Sequence, residues 1–152
     1  MKILVVEDNA QHQRAARMFF KNYPDIGVDY AWDLIEAARL LDADIYDGIL
    51  CDIYVPLVSS SVTTMDEVNN AAHPMGVAIQ LIARERKIPC LLVTAGYHHG
   101  SKYQLVCDFQ RELKLPAIID GLNVSGDSEA ENKNWTRAWE MLKAIIEKEK
   151  QK

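Results

Sequence analysis

The stretch that decides the fold is Ile3–Asn9, which reads ILVVEDN. Its four apolar residues are followed at once by the acidic pair Glu7 and Asp8. Two later runs end in the same way, with ILC at 49–51 before Asp52 and LLV at 91–93 before Thr94. Short continuous apolar runs are typical of buried parallel strands, and open parallel sheets bind ligands just beyond the carboxyl ends of their strands. Three acids and a hydroxyl at three strand ends therefore predict one pocket that binds a cation and handles phosphate.

Apolar runs alternate with amphipathic segments along the whole chain. Strands are predicted at about 2–7, 27–32, 49–52, 89–94 and 117–119, and helices at about 10–22, 34–41, 75–87, 101–114 and 129–150. Five strands alternating with five helices predict a doubly wound α/β fold with helices on both faces. The flavodoxin-like strand order 2-1-3-4-5 suits such a parallel sheet. In that order strands 1 and 4 both lie beside strand 3, so the acids and Thr94 converge.

The composition indicates one globular domain spanning 1–152. Apolar residues make up 49% of the chain and charged residues 26%, which is the usual balance for such a domain. The net charge of −5 argues against a general nucleic-acid surface, so no direct DNA binding is expected. No apolar stretch approaches the length of a membrane span, and the chain starts in a strand rather than a secretion signal. These features predict a cytoplasmic protein without a membrane span.

The last helix is predicted from a capping pattern and an apolar stripe. Ser128 with Glu131 three residues later forms a capping box, so the helix is expected at about 129–150. Trp135 and Trp139 fall on its apolar face and are expected to anchor it in the core.

Three segments together resemble a known family: residues 3–9, the stretch ILCDIYVP at 49–56 and the stretch LLVTA at 91–95. They closely resemble the receiver domain of two-component response regulators. The resemblance covers nearly the whole chain, in order. It implies a stand-alone receiver in a phosphorelay, a phosphoprotein that signals through protein contacts. Its expected partners are a sensor histidine kinase or phosphotransfer protein and a downstream protein, and a homodimer is possible within the family.

The resemblance also implies a role for each site residue. Asp52 would accept the phosphoryl group, and Thr94 would donate its hydroxyl to a phosphoryl oxygen. Asp8 and Asp52 would bind Mg²⁺ (or Mn²⁺) directly, Glu7 would act through water, and the backbone carbonyl of Tyr54 would be a further ligand. A divalent cation suits this reaction because it neutralises charge between two negatively charged partners, and Mg²⁺ prefers oxygen ligands.

One residue of the family pattern is missing from this sequence. Receivers place a lysine at the end of strand 5, where it pairs with the phosphoryl group. Here the strand reads PAIIDGL at 116–122, so Asp120 or Gly121 takes that place. Lys114 lies before the strand, and Lys102 is a minor candidate for the missing cation. Asp120 is therefore a possible modulator of the site, as are small Ala95 and the aromatic side chain of Tyr54.

A second departure is an inserted loop at about 57–74, between Pro56 and the glycine that opens the third predicted helix, Gly76. Loops of this length within a domain are often functional, so it is either a lid or partner-binding loop or a loop without a role. A hypothesis follows from two other departures, the missing lysine and Ala117, which stands where the family often has an aromatic switch residue. Mg²⁺ binding survives, while phosphorylation-driven switching is weakened or rerouted.

Two other functions stay open. The first is a degenerate pseudo-receiver, a protein-binding module that works without phosphorylation. The second is a metal-dependent phosphoesterase or nuclease-like enzyme, although Tyr54 replaces the second aspartate that a topoisomerase-primase-like site requires. For the receiver itself, the expected chemistry is limited to self-phosphorylation from small phosphodonors and autodephosphorylation.

Overall fold

The computed structural model describes residues 1–58, 73–95, 103–121 and 133–151. Within these residues the chain forms four strands and five helices. The strands are β1 Lys2–Val6, β2 Gly27–Ala31, β3 Gly48–Cys51 and β4 Cys90–Leu92. The helices are α1 Ala10–Phe20, α2 Leu34–Ala43, α3 Met75–Glu85, α4 Gln104–Glu112 and α5 Trp135–Lys150.

The sheet is parallel throughout, with the order β2-β1-β3-β4. The central strand β1 pairs with β2 on one side and with β3 on the other, so that Leu4 lies between Asp29 and Ile49. The predicted flavodoxin-like α/β architecture is confirmed. Strand pairing of this kind requires a crossover between each pair of parallel strands, and the helices supply those crossovers.

The prediction of five strands is wrong for the described residues. The segment 117–119 reaches the edge of β4 through a single bridge between Val93 and Ile119. Ile119 donates its N–H to the carbonyl of Leu92 and accepts the N–H of Thr94, both at 2.8 Å. The segment follows Pro116, which fixes its own φ angle and has no N–H to donate, and it lies at the sheet edge, where strands are often very short. It therefore occupies the expected place without forming a ladder.

Two hydrophobic cores lie on the two faces of the sheet, because successive strand residues point to opposite faces. One core joins the sheet to α2, α3 and α4, and contains Leu4, Ile49 and Leu92. The other joins it to α1 and α5, and contains Ile3, Leu50, Leu91, Phe20 and Leu142. Helices on both faces were predicted, and the two cores confirm them.

Helix α5 begins at Trp135 rather than near residue 129. Its N-cap is Asn134, whose side chain accepts the N–H of Arg137 at 3.0 Å, so the predicted capping box does not start this helix. Residues 122–132, which contain that box, lie outside the described residues. The prediction for the tryptophans is confirmed: Trp135 and Trp139 are buried, and Trp139 packs edge-on against Phe20 with ring centroids 5.8 Å apart.

Most of the predicted insertion, residues 59–72, lies outside the described residues. Its beginning is attached to the first turn of α2, because the carbonyls of Pro56 and Leu57 accept the N–H groups of Leu34 and Ile35. Among the helices that the structure describes, none is both long enough and apolar enough to cross a bilayer.

Candidate functional site

The backbone brings Glu7 and Asp52 side by side just beyond β1 and β3. The N–H of Asp52 donates to the carbonyl of Val6 at 2.9 Å, and the N–H of Glu7 donates to the carbonyl of Ala31 at 3.0 Å. These bonds continue the parallel ladders one residue past the strands. The carboxyl ends of the strands in this kind of sheet are where ligands bind, so the two carboxylates stand at the expected edge.

Three carboxylates meet at this edge. Glu7, Asp8 and Asp52 each offer an oxygen, and the three oxygens lie within 4.8 Å of one another. Glu7 is buried, whereas Asp8 and Asp52 are partly exposed. The cluster thus has a closed end at Glu7 and an open end toward solvent.

Hydrogen bonds orient two of these carboxylates. Oδ1 of Asp52 accepts the N–H of Ile53 at 2.7 Å, and Oε1 of Glu7 accepts the N–H of Asn9 at 3.1 Å. Asn9 in turn caps α1, because its side chain accepts the N–H groups of Gln11 and His12. Among the described residues no group donates a hydrogen bond to Oδ2 of Asp52.

A buried lysine completes the site. Nζ of Lys133 lies 2.5 Å from Oε2 of Glu7 and 2.8 Å from Oδ1 of Asp52. Its side chain is 1% exposed. Lysine is almost never buried unless it is paired, and here it is paired with two carboxylates. The ammonium group is thus a fixed part of the acidic cluster.

The start of α5 holds Lys133 in place. The N–H of Trp135 donates to the carbonyl of Lys133 at 3.0 Å, and Asn134 caps the helix between them. Because Trp135 is buried in the core, the backbone on which Lys133 stands is anchored. The lysine therefore reaches the site from the segment before α5, and not from the fifth sheet segment.

The charges of the cluster shift one another's pKa values. Burial raises the pKa of Glu7, with the charge of Lys133 opposing that rise and the charge of Asp52 adding to it. Burial and the charge of Asp52 raise the pKa of Asp8 to about 6. Burial lowers the pKa of Lys133, but the charges and hydrogen bonds of Asp52 and Glu7 outweigh it, so the net pKa is raised. Burial is therefore the largest cause of the raised pKa values of Glu7 and Asp8.

The first turn of α3 packs directly behind the proposed acceptor. The N–H of Gly76 donates to the carbonyl of Ile53 at 3.0 Å. A Cβ atom at position 76 would overlap the carbonyl group of Asp52 and lie 3.0 Å from the Cα of Ile53. Only glycine fits this approach, so Gly76 allows the helix to support the segment that carries Asp52.

Comparison with known proteins gives matches by structure but not by sequence. No protein-family model matches the chain, and neither does any curated protein. Solved receivers do match over nearly the whole chain. A CheY-like response regulator receiver domain protein from Methanospirillum hungatei has a TM-score of 0.65 at 13% identity, covering 99% of this chain and 96% of that one.

Two further matches carry ligands or partners in their structures. CheY6 from R. sphaeroides, solved in complex with the P1 domain of CheA3, has a TM-score of 0.53 at 21% identity over 94% of this chain and 96% of that one. TrrA from Thermotoga maritima, solved in complex with Mg²⁺-BeF, has a TM-score of 0.51 at 17% identity over 93% and 97%.

This chain has the response regulator receiver fold. Within that fold, the residue that sequence reasoning missed is Lys133. The resemblance directed attention to the end of the fifth strand, where Asp120 and Gly121 stand, and the capping box placed residue 133 inside a helix. No local signal in the sequence marked it, because Lys133 is one lysine within a polar stretch and its position depends on where α5 begins.

The remaining predicted residues lie around the same edge of the receiver fold. Thr94 is buried two residues beyond the end of β4, and Ala95 follows it with partial exposure. The ring of Tyr54 packs edge-on against Tyr103, with centroids 5.6 Å apart. Asp120 follows the edge bridge and is partly exposed.

The two lysines considered as substitutes differ in where they stand. Lys114 follows α4 and has a positive φ of 52°. It precedes the edge segment 117–119 in the chain. Lys102 lies outside the described residues. Within those residues, Lys133 is the one lysine or arginine that forms an ion pair with Glu7, Asp8 or Asp52.

Proposed function

We propose that this chain is a response regulator receiver that accepts a phosphoryl group on Asp52 and signals through protein contacts. The observation that carries the proposal is the convergence of Glu7, Asp8 and Asp52 with a buried lysine at the carboxyl edge of a receiver-type sheet. An acceptor carboxylate, further carboxylates for a cation and an ammonium group are the parts that phosphoryl transfer requires.

The residues present fit a divalent cation. All of the candidate ligands are oxygens, and one oxygen each from Glu7, Asp8 and Asp52 lies within 4.8 Å of the other two. Mg²⁺ or Mn²⁺ would be held by Asp8 and Asp52, by Glu7 through water and by the backbone carbonyl of Tyr54. When bound, such a cation neutralises charge between the acceptor and the phosphodonor.

Asp52 is arranged to act as the nucleophile. The N–H of Ile53 holds Oδ1, which leaves Oδ2 to attack the phosphorus atom of the donor. The bond from phosphorus to the leaving group breaks, and the leaving group departs with the electron pair and takes up a proton. The product is an acyl phosphate on Asp52. The hydroxyl of Thr94 would donate to a phosphoryl oxygen, and the small side chain of Ala95 leaves room for the group.

The proposed partners follow from the same chemistry. A receiver obtains its phosphoryl group from a phosphohistidine, so a sensor histidine kinase or a phosphotransfer protein is the expected donor. The complex of CheY6 with the P1 domain of CheA3 supports this choice, because that receiver has the same fold. The downstream partner would be a protein that distinguishes the phosphorylated form.

The second candidate is a pseudo-receiver that binds a partner without phosphorylation. One observation favours it: Lys133 already contacts both Glu7 and Asp52 and neutralises part of the cluster. If this ammonium group takes the place of the metal, the chain holds its shape without a cation and presents one permanent surface. The two candidates differ in whether Asp52 gains a phosphoryl group.

The experiment is incubation of the full chain with phosphoramidate or acetyl phosphate and Mg²⁺, beside Asp52→Asn. Intact mass is the readout, and beryllofluoride binding is a stable surrogate. We expect a gain of one phosphoryl group in the parent chain, no gain without a divalent cation and none in Asp52→Asn. A parent chain that neither gains mass nor binds beryllofluoride would exclude the receiver activity and favour the pseudo-receiver.

A further inference from the structure

We infer that Lys133 is the residue that binds the phosphoryl group on Asp52, so the site has its lysine but takes it from the segment before α5. The inference rests on the proposed function, since it names a further residue of the same site. It also corrects the expectation that a receiver without a lysine after its fifth strand lacks this cation.

The first argument is the place of the ammonium group. Nζ of Lys133 lies 2.8 Å from Oδ1 of Asp52, the carboxylate that would carry the phosphoryl group. Nζ has three N–H donors and no acceptor. A phosphoryl group on Asp52 adds negative charge and acceptor oxygens within reach of these donors, with no change needed in the backbone of Lys133.

The second argument is the double pairing. The same Nζ contacts Oε2 of Glu7 at 2.5 Å. When a phosphoryl group arrives, Nζ of Lys133 can move from Oε2 of Glu7 toward the phosphoryl oxygens. That shift leaves Glu7 able to serve a cation. The ammonium and the cation therefore compete for the carboxylates before transfer and act together on the phosphoryl group after it.

The third argument is rigidity. The lysine side chain is 1% exposed, and its backbone is tied to the capped and anchored start of α5. A solvated lysine loses rotamer freedom when it binds an anion, whereas Lys133 is already ordered at the site. The pre-ordered position favours binding of a group that forms at Asp52.

The test is a set of lysine substitutions with two separate binding measurements. Lys133→Met removes the charge but keeps an unbranched side chain. Lys143→Met, on the exposed side of α5 with one pairing to Glu147, is the matched control. Lys102→Met tests the rival lysine. For each full-length variant, Mg²⁺ affinity is measured alone, and beryllofluoride affinity is measured at saturating Mg²⁺.

We expect Lys133→Met to move the two affinities in opposite directions. Mg²⁺ binds more tightly, because a competing positive charge is gone. Beryllofluoride binds about tenfold more weakly or worse, as expected for the loss of a charged hydrogen bond. General damage to the structure would weaken both. Lys143→Met and Lys102→Met are expected to match the parent in both measurements.

Lys133→Arg is the second variant, since it keeps the positive charge that the buried carboxylates pair with. It is expected to weaken beryllofluoride binding while leaving Mg²⁺ affinity close to the parent value, because a planar guanidinium does not fit the ammonium position. Unchanged beryllofluoride affinity in the Lys133 variants, or a loss in Lys102→Met instead, overturns the inference. A parent chain that binds no beryllofluoride overturns the proposed function itself.

Discussion

The backbone of Gly76 lies so close to the carbonyl group of Asp52 that no side chain can be placed between them. This contact joins the first turn of α3 to the segment that carries the proposed acceptor. The neighbouring bond, from the N–H of Gly76 to the carbonyl of Ile53, holds the same segment from behind. The position of Asp52 thus depends on a glycine that is distant in sequence.

Gly76→Ala is expected to disturb both stability and the site. The added Cβ meets backbone rather than a flexible side chain, so the helix or the Asp52 segment must shift. We expect the free energy of unfolding to fall by about 2 kcal/mol, as for other overpacked positions, and phosphorylation of Asp52 to slow. Chemical denaturation and intact mass measure the two effects.

Gly27→Ala is the matched control for that substitution. A Cβ at position 27 would lie 3.6 Å from the Cγ of Lys2, which is an ordinary contact. Stability and phosphorylation close to those of the parent chain are expected. An equal loss in both alanine variants would contradict the role given to the contact at Gly76.

Asn134→Ala tests whether the cap of α5 supports the site. The side chain of Asn134 accepts the N–H of Arg137 at 3.0 Å, and loss of such a cap costs about 1 kcal/mol. Because Asn134 follows Lys133 directly, we also expect weaker beryllofluoride binding than stability alone explains. Asn134→Asp keeps an N-cap acceptor and is expected to retain most of the stability. If Asn134→Ala binds beryllofluoride as tightly as the parent chain, the cap does not support the site.

A buried pair of glutamines links α4, α3 and β4. Nε2 of Gln110 donates to Oε1 of Gln80 at 2.7 Å, and Nε2 of Gln80 donates to the carbonyl of Cys90 at 3.0 Å. Gln80→Leu leaves the carbonyl of Cys90 and the amide of Gln110 without these partners, which costs about 1–3 kcal/mol. Adding Gln110→Leu is expected to cost less than the sum of the two single variants. Strict additivity in denaturant unfolding would show that the two amides are not coupled.

The fold was predictable where the signal was local. The apolar runs that end at Glu7, Asp52 and Thr94 predicted three of the strands and the edge at which the acids meet. Buried strands read as continuous apolar runs because both of their faces are covered. The prediction of a fifth strand failed because the segment 117–119 has the composition of a strand but only one residue that pairs with β4. Whether a segment pairs depends on the neighbouring strand as well as on its own composition.

The role of Lys133 could not be predicted either, and the reason differs from that for the fifth strand. In sequence it is one lysine within a polar stretch, and nothing local distinguishes a buried lysine from a solvated one. Its position depends on where α5 begins, and the capping pattern at Ser128 and Glu131 indicated an earlier start than Trp135. An error of a few residues at a helix start was enough to hide the cation of the site.

Lowering the pH is expected to weaken the interactions of the surface cluster formed by Asp29, Tyr46 and Lys2. The hydroxyl of Tyr46 and then the ammonium of Lys2 hold the pKa of Asp29 below its usual value. A lowered pKa in the folded state gives stability that is present above the unfolded value and is lost as the pH falls through the folded value.

Tyr46→Phe removes the first of those causes. It is expected to lower the free energy of unfolding at neutral pH by less than about 1 kcal/mol, since the side chain of Asp29 is 37% exposed. The difference from the parent chain should narrow as the pH falls below about 4, the usual pKa of a free aspartate. Denaturant unfolding at a series of pH values measures it. A difference that stays constant across that range would assign the loss to packing of the ring.

The origin of the site's lysine also sets the order in which the site can be completed during synthesis. A ribosome makes Glu7 and Asp52 long before Lys133, since translation runs from the amino end. A nascent chain can pair β1 with β3 early, but its acidic edge then holds carboxylates without their ammonium partner. Charge balance arrives only when the start of α5 docks on the sheet. The acidic edge of the sheet is therefore completed last, although β1 and β3 are among the first elements to be synthesised.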